Sequence, residues 1–392
     1  MKVLALGACG GMGRYAAKTL VTQKWCDKIF IADIDGKRAE VFTRELGDLA
    51  EPLALDISDS AALDAAAAGA DLVMNTVGPF FRFGLQVLNS CIRTRKNYVD
   101  ICDDWEITIP MLELHEKARV AGITAIIGLG TSPGISNMLA KKALMNLDLP
   151  KEIFTVWDID AAKTETIMKK ASAAAIHGLH QLTGKIKLFE NGKYIDAAPI
   201  SPVDLDFPGI GIRRVYTIGH PESVTFPRYY QALKTSKNVF IISRLNLVGL
   251  KLIAWMVNHG FLSVESAAGI AEKIEGPAKS GRTNEKMLAE FSREKNPKLP
   301  PLFALAAGMR KGRPATSVCA VLSAPPGGMG GATGVPLAIG AMMILKKVVT
   351  EYGVFAPEGI IDPDMFFHVL APLCVPKKEN IDELVLTRVV EK

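Results

Sequence analysis

Paired cysteines are missing from this chain: its six (Cys9, Cys26, Cys91, Cys102, Cys319 and Cys374) are dispersed, without the spacing of a disulfide framework. A reducing, cytoplasmic setting is therefore expected. Excess charge is missing too, because 46 Lys and Arg stand against 41 Asp and Glu for a net +5, and basic clusters such as 93–96 are short. No nucleic-acid partner is expected on that balance. The most apolar stretches are broken by Lys251 or by Lys346 and Lys347 before they reach bilayer length, and no basic leader or cleavable apolar segment precedes the first apolar run. Neither a membrane partner nor export is expected. His177 and His180 lie three apart without an acidic or cysteine companion, so no metal is expected either.

What the chain does have is glycine where a strand meets a helix. Gly7-Ala8-Cys9-Gly10-Gly11-Met12-Gly13 follows the apolar run 2–6 and opens a helical pattern, and Asp33 lies 20 positions beyond Gly13 in the next apolar run. A strand that turns sharply into a helix and lets its backbone touch a pyrophosphate needs glycine there, and the helix start then stabilises the phosphate charge. Gly7, Gly10, Gly11, Met12 and Gly13 are accordingly expected to hold a dinucleotide, with Asp33 on its ribose hydroxyls. An acid at that place favours NAD, while Lys37 and Arg38 keep NADP possible.

Short β-rich runs at 3–6, 29–33, 53–56, 72–77, 98–101 and 124–128 alternate with helical patterns, the signature of an α/β fold with a Rossmann-type doubly wound parallel sheet. Ligands lie at the carboxyl edge of such a sheet, which brings in Asn75, Thr76, Gly78 and the loop 100–104. Asp56 reads either as an adenine contact or as part of a helix-capping turn with Ser58 and Asp59. At 392 residues two domains are expected, 1–130 for the dinucleotide and 131–325 as a second α+β domain with a mixed sheet. The glycine-rich segment 324–334 lacks the Gly-Lys-Ser/Thr of a phosphate loop and reads as a crossover leading into an apolar helix over 336–349, with Pro336 at its start. Tyr230 and Lys234 have the spacing of the short-chain dehydrogenase pair, but they lie outside the nucleotide-binding unit and read as coincidence.

The order of Asn75-Thr76-Val77-Gly78-Pro79-Phe80, Tyr98-Val99-Asp100-Ile101-Cys102-Asp103 and Ser132-Pro133-Gly134-Ile135-Ser136-Asn137 resembles the nucleotide domain of the saccharopine dehydrogenase family. Later segments, among them Gly219-His220-Pro221-Glu222 and Thr333-Gly334-Val335-Pro336, are similar to its saccharopine reductase and lysine 6-dehydrogenase branch. That resemblance implies hydride transfer between a nicotinamide and the C–N carbon of an amino acid such as saccharopine or lysine. It also implies that 326–392 returns to the dinucleotide domain and that the second domain carries a large sheet used in a homodimer. Such chemistry wants a general base beside the amine and a cation for the carboxylate. Asp103 is the leading base, and a helix cap is its alternative role; His177 is a candidate proton relay. Arg228, aimed by the preceding proline, and Arg82 are the candidate carboxylate anchors, and Tyr98 is a further substrate-binding candidate. Two other readings stay open: a nucleotide-binding regulatory protein without turnover, and a reductase of a C=C or C=O bond.

Overall fold

Short aliphatic runs in the first part of the chain become the strands of one sheet. The computed structural model describes residues 1–159, 173–275 and 299–391. The chain divides into two compact units, Met1–Ile135 with Pro325–Leu373, and Ser136–Ala324 with Cys374–Lys392. The first unit contains β1 (Lys2–Leu6), β2 (Lys28–Asp33), β3 (Ala50–Ala54), β4 (Leu72–Asn75), β5 (Asn97–Asp100), β6 (Thr124–Ile126) and β15 (Gly353–Phe355), in the order β15-β6-β5-β4-β1-β2-β3. Every pairing is parallel. Leu4, Ala5, Val73, Val99 and Ala125 are fully buried, as a parallel sheet covered on both faces requires. The strand order reverses between β1 and β4, so the loops leaving their carboxyl ends border a crevice.

The glycine-rich segment departs from expectation. It is the first half of one helix, Gly328–Leu345, with Pro336 inside it rather than at its start. Here glycine serves contact between backbones: a Cβ at Gly334 would lie 2.4 Å from the Met12 carbonyl oxygen, and one at Gly330 2.8 Å from that of Gly11. The helix therefore lies directly on the helix Gly11–Thr22 that follows the glycine turn. Its length and composition would suffice to cross a bilayer, but 72% of it is buried inside the protein, as befits a core helix. The C-terminal segment also differs from the expected whole return of 326–392, because residues 374–392 join the second unit.

The second unit holds a nine-stranded mixed sheet. Its strands are β7 (Leu149–Asp158), β8 (Ile186–Glu190), β9 (Lys193–Ala197), β10 (Pro202–Phe207), β11 (Gly211–Thr217), β12 (Thr235–Ile241), β13 (Leu302–Arg310), β14 (Arg313–Val321) and β16 (Val385–Glu391). The order is β10-β11-β12-β7-β13-β14-β16, with β8 beside β12 and β9 beside β8. Strands β12 and β7 run parallel, and the other pairs are antiparallel. Alternation sorts the side chains: Val239 packs with Phe154, Val156 and Phe303 on one face, and its neighbour Phe240 packs with Leu182, Ile218 and Ala254 on the other. Beyond β12 the chain forms two helices, Arg244–Asn258 and Val264–Glu275.

Candidate active site

At the carboxyl end of β1, Gly7 has φ +70°, a left-handed conformation that costs glycine little. A Cβ on Gly7 would lie 3.0 Å from Val77 Cγ2, and one on Gly13 would lie 2.6 Å from Thr76 Oγ1 and 2.7 Å from the Gly7 carbonyl oxygen. The turn is thus pressed against the loop after β4, which Thr76 fastens by donating its hydroxyl to the Leu6 carbonyl at 2.8 Å. Gly10 begins the helix Gly11–Thr22 without a side-chain cap, and a Cβ on Gly11 would meet nothing within 4 Å. An uncapped helix start beside open space fits a pyrophosphate, both sterically and through the helix dipole.

Three groups meet where that turn faces the end of β2. Asp33 accepts the Asp35 N–H at 3.0 Å, and Asp35 in turn accepts the N–H groups of Lys37 and Arg38 to cap the helix Gly36–Leu46. Arg38 reaches back to donate to the Cys9 carbonyl at 3.1 Å. Burial, reinforced by the Asp33 charge and hydrogen bond, pushes the Cys9 thiol up to about 11. Farther along the edge, exposed Asp56 accepts the Ser58 N–H at 2.8 Å, as a capping turn would have it. That hydrogen bond, more than the Arg82 charge, holds its carboxyl below the usual range. Arg82 is exposed, with its guanidinium 5.0 Å from the Phe83 ring centroid.

At the opposite side of the crevice the polar groups are buried and linked. Asn75 accepts the Val77 N–H at 3.0 Å and donates to the Tyr98 hydroxyl at 3.1 Å, and Tyr98 donates to Asp100 Oδ2 at 2.7 Å. Asp100 Oδ1 accepts two backbone N–H groups, from Cys102 at 2.9 Å and Gly128 at 2.7 Å. Asn75, Tyr98 and Asp100 are all 0% exposed, so the Tyr98 hydroxyl is spent within this network and the Asn75 side chain shapes the loop of Thr76 and Gly78. Burial and the nearby Asp100 charge raise the Tyr98 hydroxyl well above its ordinary range. Asp103 is half-buried in the loop after β5. Its neighbour Asp104 occupies the N-cap position of the helix Trp105–Glu113 but leaves that helix uncapped, sending its carboxylate to the Phe81 N–H at 3.1 Å instead.

The remaining candidates belong to the second unit. His177 is buried and His180 exposed on the helix Ala173–His180. Arg228 is exposed in the last turn of the helix Glu222–Tyr229, with Pro227 inside that helix, so its direction is set by helical geometry and not by a proline turn. Tyr230 closes the same helix and Lys234 sits in the following turn, which leaves the pair off any common helical face. Sequence reasoning missed a buried cluster here. Glu222, 0% exposed, accepts the Ser136 hydroxyl at 2.6 Å and lies 2.7 Å from His220 Nδ1. Asn238 on β12 accepts the Ser223 N–H, and Ser236 donates to the Glu222 carbonyl. The short His-x-Glu spacing was its one sequence signal. Among the described residues, no group of three His, Cys, Asp or Glu side chains is placed to hold a metal ion.

Comparison with known proteins fits this geometry. Residues 3–126 match the family model described as the saccharopine dehydrogenase NADP binding domain. The chain is 29% identical over 132 residues to a trans-acting enoyl reductase of Mycobacterium leprae, covering 33% of this chain and 32% of that protein. It is 37% identical over 93 residues to saccharopine dehydrogenase [NADP(+), L-glutamate-forming] of Pyricularia oryzae, covering 24% of this chain and 20% of that one. These two alignments thus span a third of the relative's length or less. A carboxyaminopropylagmatine dehydrogenase of Synechocystis is 23% identical over 97% of this chain and 98% of its own. The apo saccharopine dehydrogenase (L-Glu forming) of Saccharomyces cerevisiae shares the fold at a TM-score of 0.61, with 17% identity and 99% of each chain covered. Residues 3–126 are thus similar to the dinucleotide-binding domain of the saccharopine dehydrogenase family, and the whole chain shares its fold with a saccharopine dehydrogenase.

Proposed function

We propose that this protein is an NAD(P)-dependent oxidoreductase that moves hydride between the nicotinamide and the C–N carbon of an amino-acid-type amine. The observation that carries this reading is the uncapped, unobstructed helix start at Gly10 and Gly11, in a chain similar nearly end to end to a dehydrogenase named for a carboxylate-bearing amine. The bound dinucleotide would supply or take the hydride. Asp103, at the carboxyl edge of the sheet, holds the substrate nitrogen and takes its proton on oxidation. Arg228 and Arg82 are the cations available for the substrate carboxylate, and His177 is the available relay.

An acceptor-only carboxylate at the end of β2 takes ribose hydroxyls and repels a 2′-phosphate, so NAD is the preferred form, while Arg38 gives NADP a foothold. Asp33→Ser should reverse or erase that preference when dissociation constants for NADH and NADPH are compared. By family resemblance the protein works as a homodimer joined through the second unit's sheet. A spectrophotometric screen of lysine, saccharopine and related amines with both cofactors should show turnover for one of them. Turnover only of a C=C or C=O substrate would assign the chain to the other reductase class.

A further inference from the structure

Three adjacent strand ends of the first unit converge on one carboxylate. Asp100 ends β5, takes its Tyr98 hydrogen bond within that strand, and is tied through Tyr98 to Asn75 at the end of β4. Its other oxygen receives the Cys102 N–H, one residue before Asp103, and the Gly128 N–H in the loop after β6. The Asp100 carbonyl also accepts the Leu129 N–H at 2.7 Å. Glycine is required where these loops touch: Gly128 has φ +74°, and a Cβ there would lie 2.9 Å from the Cys102 carbonyl oxygen. The segments 101–104 and 128–134 are therefore held against one another through Asp100.

We propose that Asp100 is a positioning residue for the nucleotide site, whose carboxylate sets the loops 101–104 and 128–134, and whose protonation releases them and weakens dinucleotide binding. This rests on the dinucleotide reading above. Three donors point at Asp100, an arrangement that suits only an acceptor. A proton on Asp100 must be donated to the Tyr98 oxygen, which already accepts from Asn75, and the Tyr98 hydrogen then loses its buried acceptor. Burial, the leading cause, pushes Asp100 up to about 6, so the change falls within reach of ordinary buffers. Among the described residues, the titratable groups facing it are Tyr98 on its own strand, Cys102 and Asp103 in the next loop, and Cys91 on the helix Phe80–Thr94.

The test is NADH affinity against pH, read by nicotinamide fluorescence, alongside hydrogen exchange of the Cys102 and Gly128 amides without any nucleotide. In the wild type, affinity should fall several-fold as pH drops through about 6, and exchange at both amides should quicken with the same midpoint. Asp100→Asn, neutral at every pH like the protonated carboxyl, should hold affinity and exchange at their low-pH level and abolish the midpoint in both readouts. Tyr98→Phe removes a hydrogen bond that lowers the Asp100 pKa, so the midpoint should move to higher pH. A midpoint that persists unchanged in Asp100→Asn overturns the proposal. Absence of NADH binding at every pH overturns the functional reading instead, and amide exchange still decides the role of Asp100.

Discussion

The two units treat buried polar groups in opposite ways. In the first, the chain Asn75, Tyr98 and Asp100 lies at the carboxyl edge of the sheet, and its outer hydrogen bonds end on loops that border the crevice. In the second, Ser136, His220, Glu222, Ser223, Ser236 and Asn238 are linked to one another, to Thr155 and to backbone of the same unit. By the proposal above, a change at Asp100 reaches the loops its network ends on, whereas the second network ties the helix Glu222–Tyr229 to β12. Burial alone thus does not mark a functional carboxylate. What its partners are attached to does.

The largest effect expected from breaking this contrast lies in the second network. Glu222→Leu leaves Ser136 and His220 without their buried acceptor and should cost about 3–5 kcal/mol, read by urea unfolding. Adding His220→Phe should restore much of that loss, because a buried pair replaced whole by apolar side chains is no longer unsatisfied. A cost below about 1 kcal/mol for the single change would show the cluster to be loosely packed or wet. Next in size comes Gly13→Ala, whose Cβ would press on Thr76 Oγ1 and on the Gly7 carbonyl oxygen. Forcing the turn and the β4 loop apart should cost about 1–3 kcal/mol of stability and lose dinucleotide binding with it.

The first unit was legible because its signals are local. The turn Gly7 to Gly13 and the strand-ending Asp33 each lie in a stretch of a few residues, and the backbone geometry they need leaves glycine or an acid as the natural choice. Asp100 and Asp103 share the stretch 98–103, and nothing in the sequence says which of the two carboxylates turns inward. The cluster around Glu222 was illegible for a different reason: Ser136 and Glu222 are 86 residues apart, and only the fold brings them to 2.6 Å. Gly330 and Gly334 stand one helical turn apart, a spacing that signals a helix face laid against another backbone. Composition alone made that stretch look like a crossover, because many glycines suggest a loop unless their spacing is considered.

Gly11→Ala is the smallest perturbation and the one that separates fold from ligand. Nothing lies within 4 Å of the Cβ it would add, and the position is the first of the helix Gly11–Thr22, where alanine is favoured over glycine. Stability without ligand should therefore hold or rise by up to about 1 kcal/mol, in contrast to the loss at Gly13 three positions from Gly10 in the same turn. The space left open is the space a pyrophosphate needs at the helix start, so a methyl there displaces phosphate oxygens and not protein atoms. NADH affinity should fall about tenfold, equivalent to about 1.4 kcal/mol, while the unfolding curve of the free protein scarcely moves. Equal affinity in Gly11→Ala and wild type would mean that the dinucleotide does not approach the helix start, and the contrast between a ligand-facing edge and a buried interior would then lose its first term.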